Sequence, residues 1–92
     1  MQIKIVKIEV LDGVQYGYWK ENRFVFHRED GPAETYDNGD KSWWIHGKLH
    51  REDGPAVIWS DGNLGWYLEG EKIKERNFEK ALIMYRLSRI CK

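Results

Sequence analysis

His27-Arg28-Glu29-Asp30-Gly31-Pro32-Ala33 returns without change as His50-Arg51-Glu52-Asp53-Gly54-Pro55-Ala56, 23 residues further on. Carrying the same offset forward matches Gly39 with Gly62, Trp43 with Trp66 and Gly47 with Gly70, ten identities in 21 aligned pairs once the heptapeptide is included. Self-similarity at a fixed short period marks a repeat architecture, in which one supersecondary unit is stacked on its neighbour. Similar residues fill the gaps: Tyr36 aligns with Trp59, Trp44 with Tyr67 and Ile45 with Leu68.

Each unit reads as a β-hairpin: a Pro-led extended run, then Asp37-Asn38-Gly39-Asp40 or Ser60-Asp61-Gly62-Asn63, then an aromatic run. Asn-Gly and Asp-Gly are strong signals for a two-residue type I′ turn, which needs positive φ at both central positions. That turn sets Trp59 opposite Leu64, Val57 opposite Trp66 and Ala56 opposite Tyr67, and in the earlier unit Glu34 opposite Trp43 and Ala33 opposite Trp44. Strand alternation puts Trp43 and Trp66 on one face and Trp44 with Tyr67 on the other. A degenerate hairpin is readable upstream, where Ile3 to Leu11 enters Asp12-Gly13 and returns from Tyr16 to Trp19, as a capping unit would. After Gly70 the pattern becomes helical: Asn77 can cap, and Phe78, Ala81, Leu82 and Tyr85 share one side at three- and four-residue spacing. Ile83, Leu87 and Ile90 form a second apolar stripe, either packed on the N-terminal strands or available as a homodimer or heteromeric seam.

The expectation is one domain over 1–92, mainly β, of about seven antiparallel strands in a meander closed by a C-terminal helix: 1–26 a capping hairpin, 27–49 and 50–74 the two repeats, 75–92 the helix. Ninety-two residues suffice for a single core. Five Trp, five Tyr and three Phe supply its area and suit an interface. Fifteen basic residues balance fifteen acidic ones, which gives no net field toward nucleic acid or an anionic membrane. One cysteine, Cys91, rules out an intramolecular disulfide and fits a reducing cytoplasm. No stretch has the length of a membrane span or the shape of a leader.

The unit Gly47-Lys48-Leu49-His50, its Gly-Pro strand, the Asp61-Gly62 turn and Trp66-Tyr67 resemble MORN-type repeats over roughly residues 12–70, in the variant with a longer His-Arg-Glu-Asp-Gly-Pro-Ala turn found in small phage and viral proteins. The resemblance implies successive hairpins in one twisted sheet, a role in protein association and no catalytic activity. It also implies a phage-encoded inhibitor that docks on a bacterial host protein, such as a component of defence. The chain departs from the usual pattern in placing Arg-Glu-Asp-Gly-Pro where a short Gly-x-Gly is expected, and in adding a helix.

Of the chemistry-bearing groups, His-Arg-Glu-Asp is the most suggestive, with an imidazole, a guanidinium and two carboxylates in four residues. An active site needs one assembled constellation, whereas a motif copied once per unit marks a turn that every unit makes for itself. His27, His46 and His50 lack the paired spacing of a zinc site, and no metal or cofactor is expected. Ser42, Ser60, Ser88 and Cys91 lie in no nucleophile context, and the glycines fall singly at turns, not as a phosphate loop. The candidate contact residues are Trp43, Trp44, Trp59, Trp66 and Tyr67 with Arg28, Arg51 and His50, and on the helix Ile83, Leu87 and Ile90. A non-enzymatic protein-binding module is the favoured reading. A small-ligand or nucleotide binder using the aromatics with His and Arg is the alternative, followed by an immunity or antitoxin partner and a hydrolase.

Overall fold

The computed structural model describes residues 3–90, so Cys91 lies outside the described residues. Its strands are β1 (Val6–Val10), β2 (Gly13–Lys20), β3 (Arg23–Phe26), β4 (Glu34–Tyr36), β5 (Lys41–Ser42), β6 (Trp44–Ile45), β7 (Lys48–Leu49), β8 (Val57–Ile58), β9 (Leu64–Leu68) and β10 (Glu71–Ile73). A 3₁₀ turn (Glu75–Asn77) leads into helix α1 (Phe78–Ile90). Every pairing is antiparallel. The main sheet runs β1-β2-β4-β5-β8-β9-β10 with β3 also on β2, and β6-β7 forms a separate two-stranded ribbon.

The long strands serve two rows of hairpins. β2 pairs with β4 through Gly13 to Gln15 and with β3 through Gly17 to Lys20, so the rows part at Tyr16. The path β5 to β6 parts in the same way at Trp43. Each heptapeptide crosses from one row to the other, from β3 to β4 and from β7 to β8.

The turn residues exchange the roles expected from sequence. Asn38-Gly39 and Asp61-Gly62 do not form two-residue turns: Tyr36 N–H bonds the Asp40 carbonyl and Trp59 N–H the Asn63 carbonyl, each at 2.9 Å, closing three-residue loops. Only the glycine of each loop has positive φ, 103° at Gly39 and 93° at Gly62, as in a turn that ends in a left-handed bulge residue. The register therefore moves by one: Val57 faces Gly65, Ile58 faces Leu64 and Glu34 faces Ser42, and the expected Val57–Trp66 and Glu34–Trp43 partners are replaced. The upstream hairpin is also displaced, with Val10 opposite Gly13 and Leu11-Asp12 between them. Two-residue turns with both residues at positive φ occur at Glu21-Asn22, His46-Gly47 and Glu69-Gly70 instead.

The molecule is a slab with principal extents of 39 × 38 × 19 Å, too thin to cover both faces of a sheet. Few of the described residues are buried: Ala33 and Ala56 at 0% exposure, with Leu68, Phe78, His27, His50, Gly17 and Gly65 close to it. The helix closes one end by setting Phe78 on Trp66 (ring centroids 4.7 Å) and keeping Ala81, Leu82 and Tyr85 half-buried. That inner side is the expected one. The outer stripe is not packed on the N-terminal strands, because Ile83, Leu87 and Ile90 are 58%, 51% and 78% exposed and Met84 extends the patch. No helix among the described residues is long and apolar enough to cross a membrane.

Candidate functional site

The two heptapeptides fold as the same bracket, and every residue in it has a mechanical task. The imidazole comes first. His27 Nδ1 accepts the backbone N–H of His46 at 2.8 Å, and His50 Nδ1 accepts that of Glu69 at 2.9 Å. An amide can only donate, so Nδ1 is the bare nitrogen and the ring proton sits on Nε2. That nitrogen faces Glu29 at 3.4 Å in the first bracket and Glu52 at 3.2 Å in the second. The bonded amides belong to His46 and Glu69, the residues at φ 48° and 52° in their turns. A left-handed conformation costs an L-residue about 1–2 kcal/mol, and a buried bond to the amide offsets it.

The arginine folds back under the glycine. Arg28 Nε bonds Asp30 and Arg51 Nε bonds Asp53, both at 2.9 Å, while the Nη1 atoms reach the Pro32 and Pro55 carbonyls at 3.3 and 3.0 Å. Each guanidinium also lies 3.9 Å from an aromatic centroid, Arg28 on Tyr16 and Arg51 on Trp43, a cation–π contact. A Cβ at Gly31 or Gly54 would meet the guanidinium carbon at 3.1 or 2.9 Å, which is why glycine follows the aspartate. Last, Ala33 and Ala56 lie completely buried where the two hairpin rows divide. Their carbonyls take the N–H of Tyr16 and Trp43, both at 2.7 Å.

The brackets differ in what covers them. Glu29 is 83% exposed at its side chain, whereas Glu52 is 33% exposed beneath α1, where Arg86 Nε bonds it at 3.2 Å. Burial alone would raise the Glu52 carboxyl, but hydrogen bonds from His50 Nε2–H and Arg86, with the charge of Arg86, outweigh it and hold the group below the ordinary carboxylate range. Tyr85 packs on His50 at 5.2 Å, and the same partial burial pushes its phenol upward. An open groove of about 920 Å³ runs between the brackets, with Trp43 and Ile45 along it and Tyr85 and Arg89 at its helical side. Arg28 and Arg51 also line the groove, each guanidinium held by its own aspartate.

Of the sequence candidates, Arg28, Arg51 and His50 line this groove, and each is hydrogen-bonded within the chain. Trp43, Trp44, Trp66 and Tyr67 are half-buried, and Trp59 is 40% exposed beside Leu64 at 44%. Trp44 Nε1 bonds Glu34 at 3.1 Å and Ser42 at 2.9 Å. Glu34 is a polar hub that sequence reasoning missed: it also accepts Tyr36 Oη at 2.7 Å, and this bond, ahead of burial, raises the Tyr36 phenol. The second repeat has Val57 at that place, so no repeated signal pointed to it. The histidine that approaches His27 is His46, with centroids 4.3 Å apart and Tyr18 Oη on its Nδ1 at 2.9 Å. Among the described residues no group of three or more His, Cys, Asp or Glu is placed to hold a metal ion.

No family model, curated protein or solved structure matches the chain.

Proposed function

We propose that this chain is a non-enzymatic protein-binding module whose principal contact surface is the outer stripe of α1. One observation carries the reading: Ile83, Met84, Leu87 and Ile90 stand 51% to 78% exposed on a helix whose other side already holds the sheet. An exposed apolar stripe of i, i+4, i+7 spacing is the form in which a helix enters a partner's groove. The imidazoles, guanidinia and carboxylates of the repeated motif are spent on turn geometry, which supports binding by surface complementarity over chemistry. The resemblance of the heptapeptide unit to phage repeat proteins supports the finer reading, a bacterial host protein as the partner and inhibition as the outcome.

The test compares tagged wild-type protein with Leu87→Glu and Ile83→Glu in a capture from bacterial lysate. Both variants should keep the wild-type circular dichroism spectrum and lose a partner that the wild type retains. Equal capture by all three proteins would remove α1 from the contact surface.

A further inference from the structure

The opposite end of the sheet from α1 is a bare edge. β1 bonds β2 on one side and nothing among the described residues on the other. The direction of its backbone groups follows from β2. Tyr16 sends its N–H to Ala33 (2.7 Å) and its carbonyl accepts the N–H of His27 (3.0 Å), so the backbone of Tyr16 faces away from β1. Backbone direction alternates along a strand, so Gly13, Gln15 and Gly17 face β1, and their partners Val10, Ile8 and Val6 face back. Lys7 and Glu9 are left with N–H and C=O pointing outward, and both side chains are exposed.

We propose that this edge pairs with the same edge of a second copy, antiparallel, about a two-fold axis through Ile8. Only residues with outward-facing groups can be set opposite each other with bonds, so Lys7 and Glu9 must meet outward residues of the second copy. Three such registers are near. An axis at Lys7 sets lysine against lysine, and an axis at Glu9 sets glutamate against glutamate. The axis at Ile8 sets Lys7 against the second copy's Glu9 and Glu9 against its Lys7, with two backbone bonds at each pair. The same register sets Val6 against Val10 and Ile8 against itself on one face, and continues to Lys4 against Asp12. On the other face it brings Ile5, 42% exposed, toward Leu11, 103% exposed. Opposite charges and paired β-branched residues across an antiparallel ladder are the combination that stabilises it, and like charges directly opposite destabilise it. A two-fold contact of this kind is closed, so assembly stops at the dimer. Charged side chains on an edge ordinarily discourage pairing; β1 carries one charge of each sign, spaced so that in this register each meets its opposite on the second copy.

Sedimentation equilibrium over a range from micromolar to millimolar protein is the experiment. The wild type should pass from 11.0 kDa to twice that mass. Lys7→Glu and Glu9→Lys should each shift the midpoint at least tenfold toward higher concentration. The double variant Lys7→Glu/Glu9→Lys, which restores opposite charges at both pairs, should recover the wild-type midpoint. Amide exchange adds a readout independent of charge: protection of Lys7 and Glu9 should rise with concentration while that of Val6, Ile8 and Val10 stays constant. A wild type that remains at monomer mass throughout overturns the proposal, as does a double variant no better than the singles. A dimer abolished by Leu87→Glu but indifferent to Lys7→Glu would place the seam on α1 instead.

Discussion

At the residue scale the repeated histidine is a fastener. Each imidazole reaches an amide 19 positions ahead and holds the left-handed residue of a turn in place. His50→Ala leaves the part-buried Glu69 N–H without its acceptor, and should cost about 1–3 kcal/mol in urea unfolding. Gly54→Ala should be comparably harmful, about 1–2 kcal/mol, because its methyl displaces the guanidinium from Trp43 and from the Pro55 carbonyl. The acid limb of the stability profile has a named contributor. Glu52 has a folded-state pKa below its unfolded value, so its contribution is complete above the ordinary carboxylate range and is lost as pH falls through the depressed value. Urea midpoints followed downward in pH should fall less steeply in Glu52→Gln than in the wild type. An identical slope would show that the carboxylate is not coupled to folding.

Elements show what was legible in the sequence and what was not. Hairpins, their order and the closing helix were legible because a copied heptapeptide and two X-Gly loops fix the unit independently of packing. Helix α1 begins directly after Asn77, but a 3₁₀ turn from Glu75 leads into it, and Asn77 N–H bonds the Lys74 carbonyl inside that turn. Strand register was not legible. Asn38-Gly39 is a genuine I′ signal, but Asp40 N–H bonds Asn38 Oδ1 and the Asp40 carboxylate takes the Ser60 N–H at 2.7 Å, and together these bonds favour the longer loop. The Ser60 amide foremost, and then Asn38 Nδ2, which donates to Asp40 Oδ2 at 3.2 Å, hold the Asp40 carboxyl below its ordinary range. The histidine's task had a faint signal, since His46-Gly47 and Glu69-Gly70 both follow their histidine by 19 residues. A turn prediction follows: replacing Glu21-Asn22 by Asn-Gly in the β2–β3 hairpin should raise stability by about 1 kcal/mol, because both positions already have positive φ. On the helix, Phe78→Ala should cost about 3 kcal/mol or more, whereas Leu87→Glu should stay within about 0.5 kcal/mol, a contrast that thermal unfolding can read directly.

For the whole molecule, stability is carried in a narrow seam. Ala33 and Ala56 sit at zero exposure where the hairpin rows divide, and their carbonyls accept bonds of 2.7 Å from Tyr16 and Trp43. In native-state exchange the amides that bond into this seam, Tyr16, Ala33, Trp43 and Ala56, should be the slowest, and those of the 37–39 and 60–62 loops the fastest. A slab 19 Å thick has little interior to lose, so its cooperativity depends on the brackets linking one row to the other.

Because the bonds that shape each bracket reach only the turn ahead and the strand behind, and α1 covers just the last bracket, the number of units is a free parameter of the design. Splicing in another 23-residue copy would add two strands at 4.7–4.9 Å spacing and move the helix about 10 Å farther from the β1 edge. Selection could thereby set the span between the molecule's two ends in fixed steps, like notches on a ruler, without redesigning either one.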